Sequence, residues 1–153
     1  MNDVEERLKH LKLDLPAPAK PAGSYVPYVQ TGDMVYISGQ VSKNSDGSVI
    51  AGRVGSDLTL EQGKAAARAC ALSALSIIGA SLGFPSVRRI VKVTGFVQAA
   101  PGFSAIPDVV NGASDLFVQV FGEAGKHARS SVGVAELPMH AAVELELVVQ
   151  VVL

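Results

Sequence analysis

Arg129 is the side chain in this sequence best suited to hold a small acid. Its guanidinium is a planar fork that grips a carboxylate through two parallel hydrogen bonds. Glu144 is suited to activate water, because a carboxylate beside a reacting carbon can orient or deprotonate it. Both lie in strand-like sequence. Arg129, Ser131 and Gly133 alternate with Ser130, Val132 and Val134, and Glu144, Glu146 and Gln150 alternate with a run of Leu and Val. If Val132 and Val134 face the helices, Arg129 and Ser131 share the outer sheet face with Glu144. Leu137-Pro138 joins the two strands, which makes them expected neighbours. The simpler fate of Arg129 is an ion pair with Glu144 or Glu146. Tyr25, Ser38, Gly39 and Asn111 are weaker taken singly: a packing aromatic, a strand end with close backbone approach, and a helix position open to solvent.

Other tempting patterns carry less. His10, His127 and His140 are far apart and show no ligand spacing, so no metal site is expected. Gly122-Glu-Ala-Gly-Lys126-His127 lacks the four-residue gap and the Ser or Thr of a phosphate-binding loop. Cys70 sits among alanines and reads as a small core residue. As the one cysteine, it excludes an internal disulfide and points to a reduced, cytoplasmic setting. The charged start, Met1 to Arg7, gives no expectation of a signal peptide. Thirteen basic against fourteen acidic residues leave a net charge of −1, so no basic field attracts nucleic acid. No run reaches the length of uninterrupted apolar residues that a bilayer requires. The chain is 48% hydrophobic over 153 residues but has no Trp. Its core must therefore be aliphatic, and the surplus apolar surface predicts subunit contacts.

The elements that must position these residues form one domain. Val4, Leu8 and Leu11 predict an amphipathic helix over 3–13, followed by an extended Pro-rich stretch to residue 22. A strand is expected over 34–40, then a polar segment over 42–57 with a turn at Asp46-Gly47. Thr59 and Gln62 form a capping box for a long helix closed by Gly83 and Pro85. A strand follows over 87–99. A second helix spans 105–121, with Pro107 in its first turn and Gly122 at its end. Strands over 129–135 and 141–153 complete an α+β domain, with two helices on one face of a mixed sheet. In the last strand Ala141, Val143, Leu145, Leu147, Val149, Val151 and Leu153 should meet the helices. Ala142, Val148 and Val152 should join Glu144 on the outer face.

The string Arg129-Ser-Ser-Val-Gly-Val-Ala-Glu-Leu137-Pro138, with Val143-Glu144-Leu-Glu146 after it, resembles the RidA family, also called YjgF/YER057c/UK114. Tyr25-Val-Pro-Tyr through Ser38-Gly39-Gln40 and the Val110-Asn111 position before Phe117 resemble it as well. The likeness runs from about Tyr25 to the C-terminus. It implies a chorismate-mutase-like fold and a homotrimer with clefts between subunits. It also implies cofactor-free hydrolysis of reactive 2-imino and 2-enamino acids, such as 2-aminoacrylate, to 2-oxo acids and ammonia. In that reading Arg129 binds the substrate carboxylate and Glu144 positions water. Tyr25, Ser38, Gly39, Asn111 and Ser131 line the cleft. Ser131 stands where many members have Cys, so thiol chemistry there is lost, and His127 stands where Pro or Ala is usual. A non-catalytic carboxylate-binding trimer, an endoribonuclease and a chaperone-like protein are the competing readings.

Overall fold

The computed structural model describes residues 3–153. Five strands form the sheet: β1 (Tyr28–Thr31), β2 (Met34–Val41), β3 (Val87–Gln98), β4 (Ala128–Val134) and β5 (Val143–Val151). Their order is β1-β2-β5-β3-β4. Only the β3–β4 pair is parallel. A parallel pair needs a crossover, and α3 (Ile106–Phe121) supplies it. With α2 (Leu60–Ile77), α3 covers one face of the sheet, and α1 (Asp3–His10) packs against α3. The architecture is the expected α+β domain.

Local chemistry explains the elements. Thr59 and Gln62 cap α2 reciprocally, with Gln62 N donating to Thr59 Oγ1 at 3.1 Å and Thr59 N to Gln62 Oε1 at 2.8 Å. Ala66, Ala67, Cys70, Ala71 and Ala74 are fully buried along its inner side. Small residues there allow α2 and α3 to approach closely. A Cβ on Gly112 of α3 would overlap the Lys64 carbonyl. The last turn of α2 widens into a π-helix over Ile78–Leu82, and Gly83 ends it at φ 78°. The Leu60–Leu82 segment is long and apolar enough to cross a bilayer by length and composition. Here its apolar side, including Leu75, Ile77 and Ile78, is spent on the core. Val143, Leu145, Leu147, Val149 and Val151 of β5 meet the helices from the opposite side. Burying each such side chain contributes roughly 1.5–3 kcal/mol.

Several boundaries differ from the sequence expectation. α1 stops at His10, and Lys12 turns the chain away at φ 52°. β1 was not anticipated. It is four residues long, joined to β2 through Gly32 at φ 61°, too short for its alternation to register. Ala142 is fully buried rather than on the outer face, because residue 50 pairs alongside it. The larger correction concerns β4. It neighbours β3, at the sheet edge, and not β5. Its register pairs Arg129 with Val93 and Ser131 with Gly95, both core positions. Arg129 and Ser131 therefore face the helices, while Ser130 and Val132 face outward beside Thr94 and Phe96.

Candidate functional site

Two clusters form on opposite faces of the sheet. The first surrounds Arg129. Pro107, Asn111 and Ser114 recur at steps of four and three along α3, a stripe that lies over β4. Arg129 Nη1 donates to Asn111 Oδ1 at 2.7 Å and to Ser114 Oγ at 3.1 Å. Nη2 reaches the Pro107 carbonyl at 3.4 Å. Among the described residues Arg129 forms no ion pair, with Glu144, Glu146 or any other acid. Its Nε and the second Nη2 hydrogen also have no acceptor there, which leaves one edge of the fork free to take a carboxylate. On the same strand and face, Ser131 Oγ is buried without a hydrogen-bond partner. An orphaned buried hydroxyl is costly and calls for an oxygen or nitrogen from elsewhere.

The second cluster surrounds Glu144 on the sheet face away from the helices. β2 carries a bulge at Ser38 and Gly39, between the pairs Ile37–Leu147 and Gln40–Leu145. The Glu144 carboxylate lies directly over Gly39, and a Cβ at that position would overlap its oxygen. Ser38 Oγ donates to the Val26 carbonyl at 2.6 Å, and Ser38 N to the Pro27 carbonyl at 2.9 Å. Those bonds hold the segment that carries Tyr25, which is about half exposed. Tyr25, Ser38, Gly39 and Glu144 line one pocket of about 120 Å³. Partial burial, and then the like charge of Glu146, holds the Glu144 carboxyl above the usual carboxylate range. A carboxylate so placed is a stronger proton acceptor at neutral pH than an exposed one.

The structure thus brings Tyr25, Ser38, Gly39 and Glu144 together. Separately, it brings Arg129, Asn111 and Ser131 together. It does not join the two sets within one chain, which corrects the expectation that Arg129 and Glu144 share a face. The expectation failed because it assigned the apolar side of β4 to the helices. The α3 stripe over this edge strand is polar, so the polar side of β4 turns inward and Val132 turns outward, 41% exposed.

Several contacts were not anticipated. Ser114 shares Arg129 with Asn111, and the spacing of Pro107, Asn111 and Ser114 was the signal for it. Ala19 to Ala22 of the Pro-rich extension and Met139 also line the Glu144 pocket. Met139 and His140 both have φ 58°, unusual for residues with side chains. Gln98 fixes this turn by bonding His140 Nδ1 at 2.9 Å and accepting from Leu137 N at 2.9 Å. Cys70 is buried, its thiol donating to the Val143 carbonyl at 3.4 Å, and burial pushes its pKa up. Among the described residues no three His, Cys, Asp or Glu side chains converge as metal ligands would.

Comparison with known proteins adds the following. Residues 16–151 match the family described as endoribonuclease L-PSP. Protein TCP17 of Trypanosoma cruzi is 48% identical, over 96% of this chain and 93% of its own length. A 2-iminobutanoate/2-iminopropanoate deaminase of Dermatophagoides farinae is 31% identical, over 90% of this chain and 93% of its own. A crystal structure of an Agrobacterium tumefaciens protein of unknown function superposes with a TM-score of 0.88 at 39% identity, covering 98% of this chain and 94% of that one.

Proposed function

The chain belongs to the endoribonuclease L-PSP family, the YjgF/RidA family that its motifs resemble, and from that premise we propose that it hydrolyses reactive 2-imino and 2-enamino acids to 2-oxo acids and ammonia. The observation that carries this reading is the free edge of the Arg129 guanidinium beside the unpartnered Ser131 hydroxyl. Together they form a half-site with donors aimed at an anion and no anion of its own chain to fill it. Glu144 over Gly39 is the complementary half, with a carboxylate and a pocket whose lining cations, Lys20 and Lys43, lack the planar fork that grips an acid through two parallel bonds.

Two incomplete halves on opposite faces of one sheet are completed by a second copy of the chain. A homotrimer supplies this, as the family resemblance implies, with each cleft taking Arg129 from one subunit and Glu144 from its neighbour. The outward face supports the assembly, since Tyr36 and Val132 are exposed there at 50% and 41%.

The chemistry asks little of such a cleft. Arg129 holds the substrate carboxylate and so fixes the C2 carbon of the imine. Glu144 accepts a proton from water as its oxygen bonds to C2. The C=N electrons pass to nitrogen, which takes a proton to give a carbinolamine; a second proton on nitrogen then lets the C–N bond break as the hydroxyl gives up its proton, leaving a 2-oxo acid and ammonia. Fixing an already electrophilic carbon against an oriented water accounts for the acceleration. The test is ammonia release from freshly generated 2-aminoacrylate, expected to exceed the rate in buffer. No acceleration, with 2-oxobutyrate still bound through Arg129, would leave a carboxylate-binding protein without this activity.

A further inference from the structure

The hydrogen bonds around Arg129 continue one residue beyond the site proposed above. His127 Nε2 lies 2.9 Å from Ser114 Oγ, and Nδ1 lies 2.6 Å from the Gly125 carbonyl oxygen. The ring stands edge-on to Phe117, with centroids 6.0 Å apart at 90°. Its protons follow from the partners. A carbonyl only accepts, so Nδ1 carries a hydrogen. The neutral ring then has its lone pair at Nε2, which receives the Ser114 hydroxyl hydrogen. A guanidinium only donates, so the Ser114 oxygen receives Arg129 Nη1–H. Arg129, Ser114, His127 and Gly125 thus form a chain in which each group donates to the next. Burial, and the neighbouring Arg129 charge, hold the imidazole below its ordinary pKa, in agreement with a neutral ring.

We infer that His127 is a positioning residue for carboxylate recognition: by accepting the Ser114 hydroxyl it turns the Ser114 oxygen toward Arg129 and holds the guanidinium with its Nε edge outward. The inference rests on the reading that Arg129 binds the substrate acid. If the inference fails, His127 simply braces the turn after α3 against Phe117.

Asn and Gln substitutions separate the two roles. In His127→Asn the amide nitrogen stands where Nδ1 was, so the bond to Gly125 survives and the acceptor for Ser114 is lost. In His127→Gln the amide oxygen reaches the place of Nε2 and restores that acceptor. The measurements are the Kd for 2-oxobutyrate by calorimetry, KM and kcat with 2-aminoacrylate, and Tm. His127→Asn should weaken 2-oxobutyrate and raise KM about tenfold with kcat nearly unchanged. His127→Gln should recover most of the loss. Ser114→Ala should reproduce it, and adding His127→Asn to Ser114→Ala should cost no more. The 15N shifts of the wild-type ring should report the Nδ1–H tautomer, a readout independent of how any variant folds. An Nε2–H ring, unchanged Kd and KM in His127→Asn, or additive losses would overturn the positioning role. Wild-type protein that binds no 2-oxobutyrate would instead overturn the Arg129 reading, and this one with it.

Discussion

Arg129 and Glu144 are each partly buried against the same sheet, but their surroundings differ. Around Arg129 the protein has built a ring of acceptors: Asn111, Ser114 and the Pro107 carbonyl fix one end of the guanidinium, and His127 lies behind Ser114. Glu144 has a glycine under it, a second carboxylate along its strand and a pocket in front of it. The cation is held still by hydrogen bonds, whereas the anion is given room and a raised pKa. The contrast suits their proposed tasks. A group that recognises must be pre-organised, and a group that moves a proton must change its charge state at moderate cost.

The comparison is broken most severely by removing the cation. Arg129→Ala should weaken 2-oxobutyrate binding by about a hundredfold or more, read by calorimetry, because a charge-assisted bidentate contact is lost. The wild-type oligomeric state and Tm should survive, and unfolding would show that Arg129 serves the fold instead. Co-refolding Arg129→Ala with Glu144→Gln then asks whether the halves come from different subunits. If each cleft draws one half from each of two neighbours, as proposed, random assembly should recover about a quarter of wild-type turnover from two inactive parents. No recovery in verified mixed trimers would require both halves from one chain, against the geometry described above.

The anion side should fail differently. Glu144→Gln should bind 2-oxobutyrate normally and turn over 2-aminoacrylate about a hundredfold more slowly, within the usual range for lost acid–base assistance. Gly39→Ala should mimic it, because the new methyl displaces the carboxylate. An intermediate effect lies in pH. Glu144 must be ionised to take a proton, so kcat should fall as pH drops through its raised pKa, above the ordinary 4.5. Glu146→Gln removes the like charge and should move that acid limb to lower pH, whereas a limb that stays put excludes Glu146 as a cause. The stability sign is fixed as well. Because the folded pKa lies above the unfolded one, the native state binds the extra proton between them. Stability linked to Glu144 therefore falls as pH rises through that window, and Glu144→Gln should raise Tm slightly at neutral pH. The smallest effect tests whether the two sites are insulated from helix stability. Thr59→Ala should cost about 1 kcal/mol in denaturant unfolding and leave Kd and kcat unchanged.

Much of this was legible in local pattern. The Thr59–Gln62 box, Gly83, Pro107 and Gly122 marked both long helices to within a residue or so, because capping and backbone freedom are local properties. The apolar face of β5 was legible for the same reason, since alternation over nine residues has one consistent reading. The partners of β4 were not. Strand order depends on where a crossover returns, and seven residues with Ser and Val on alternate sides do not say which side is inward. The candidate residues were found, but their division into two halves was not, because it follows from that one strand's placement. The turn at Met139 and His140 left no trace in sequence either, since left-handed backbone at non-glycine positions is imposed by the surrounding contacts, here those of Gln98.

The bulge in β2 has a consequence for how this chain can change length. It gives β2 one residue that β5 does not match, placed where Glu144 needs a floor without a side chain. Delete one residue between Ile37 and Gln40 and the bulge disappears: Ile37 and Gln40 then lie two apart, as Leu147 and Leu145 do, so Gln40 and Val41 keep their pairing while the floor beneath Glu144 is gone. A length change in the polar loop around Asp46 and Gly47 leaves that floor in place. Deletions are therefore graded by position along this stretch, absorbed at the loop and, a few residues earlier, costly to the site although the register survives.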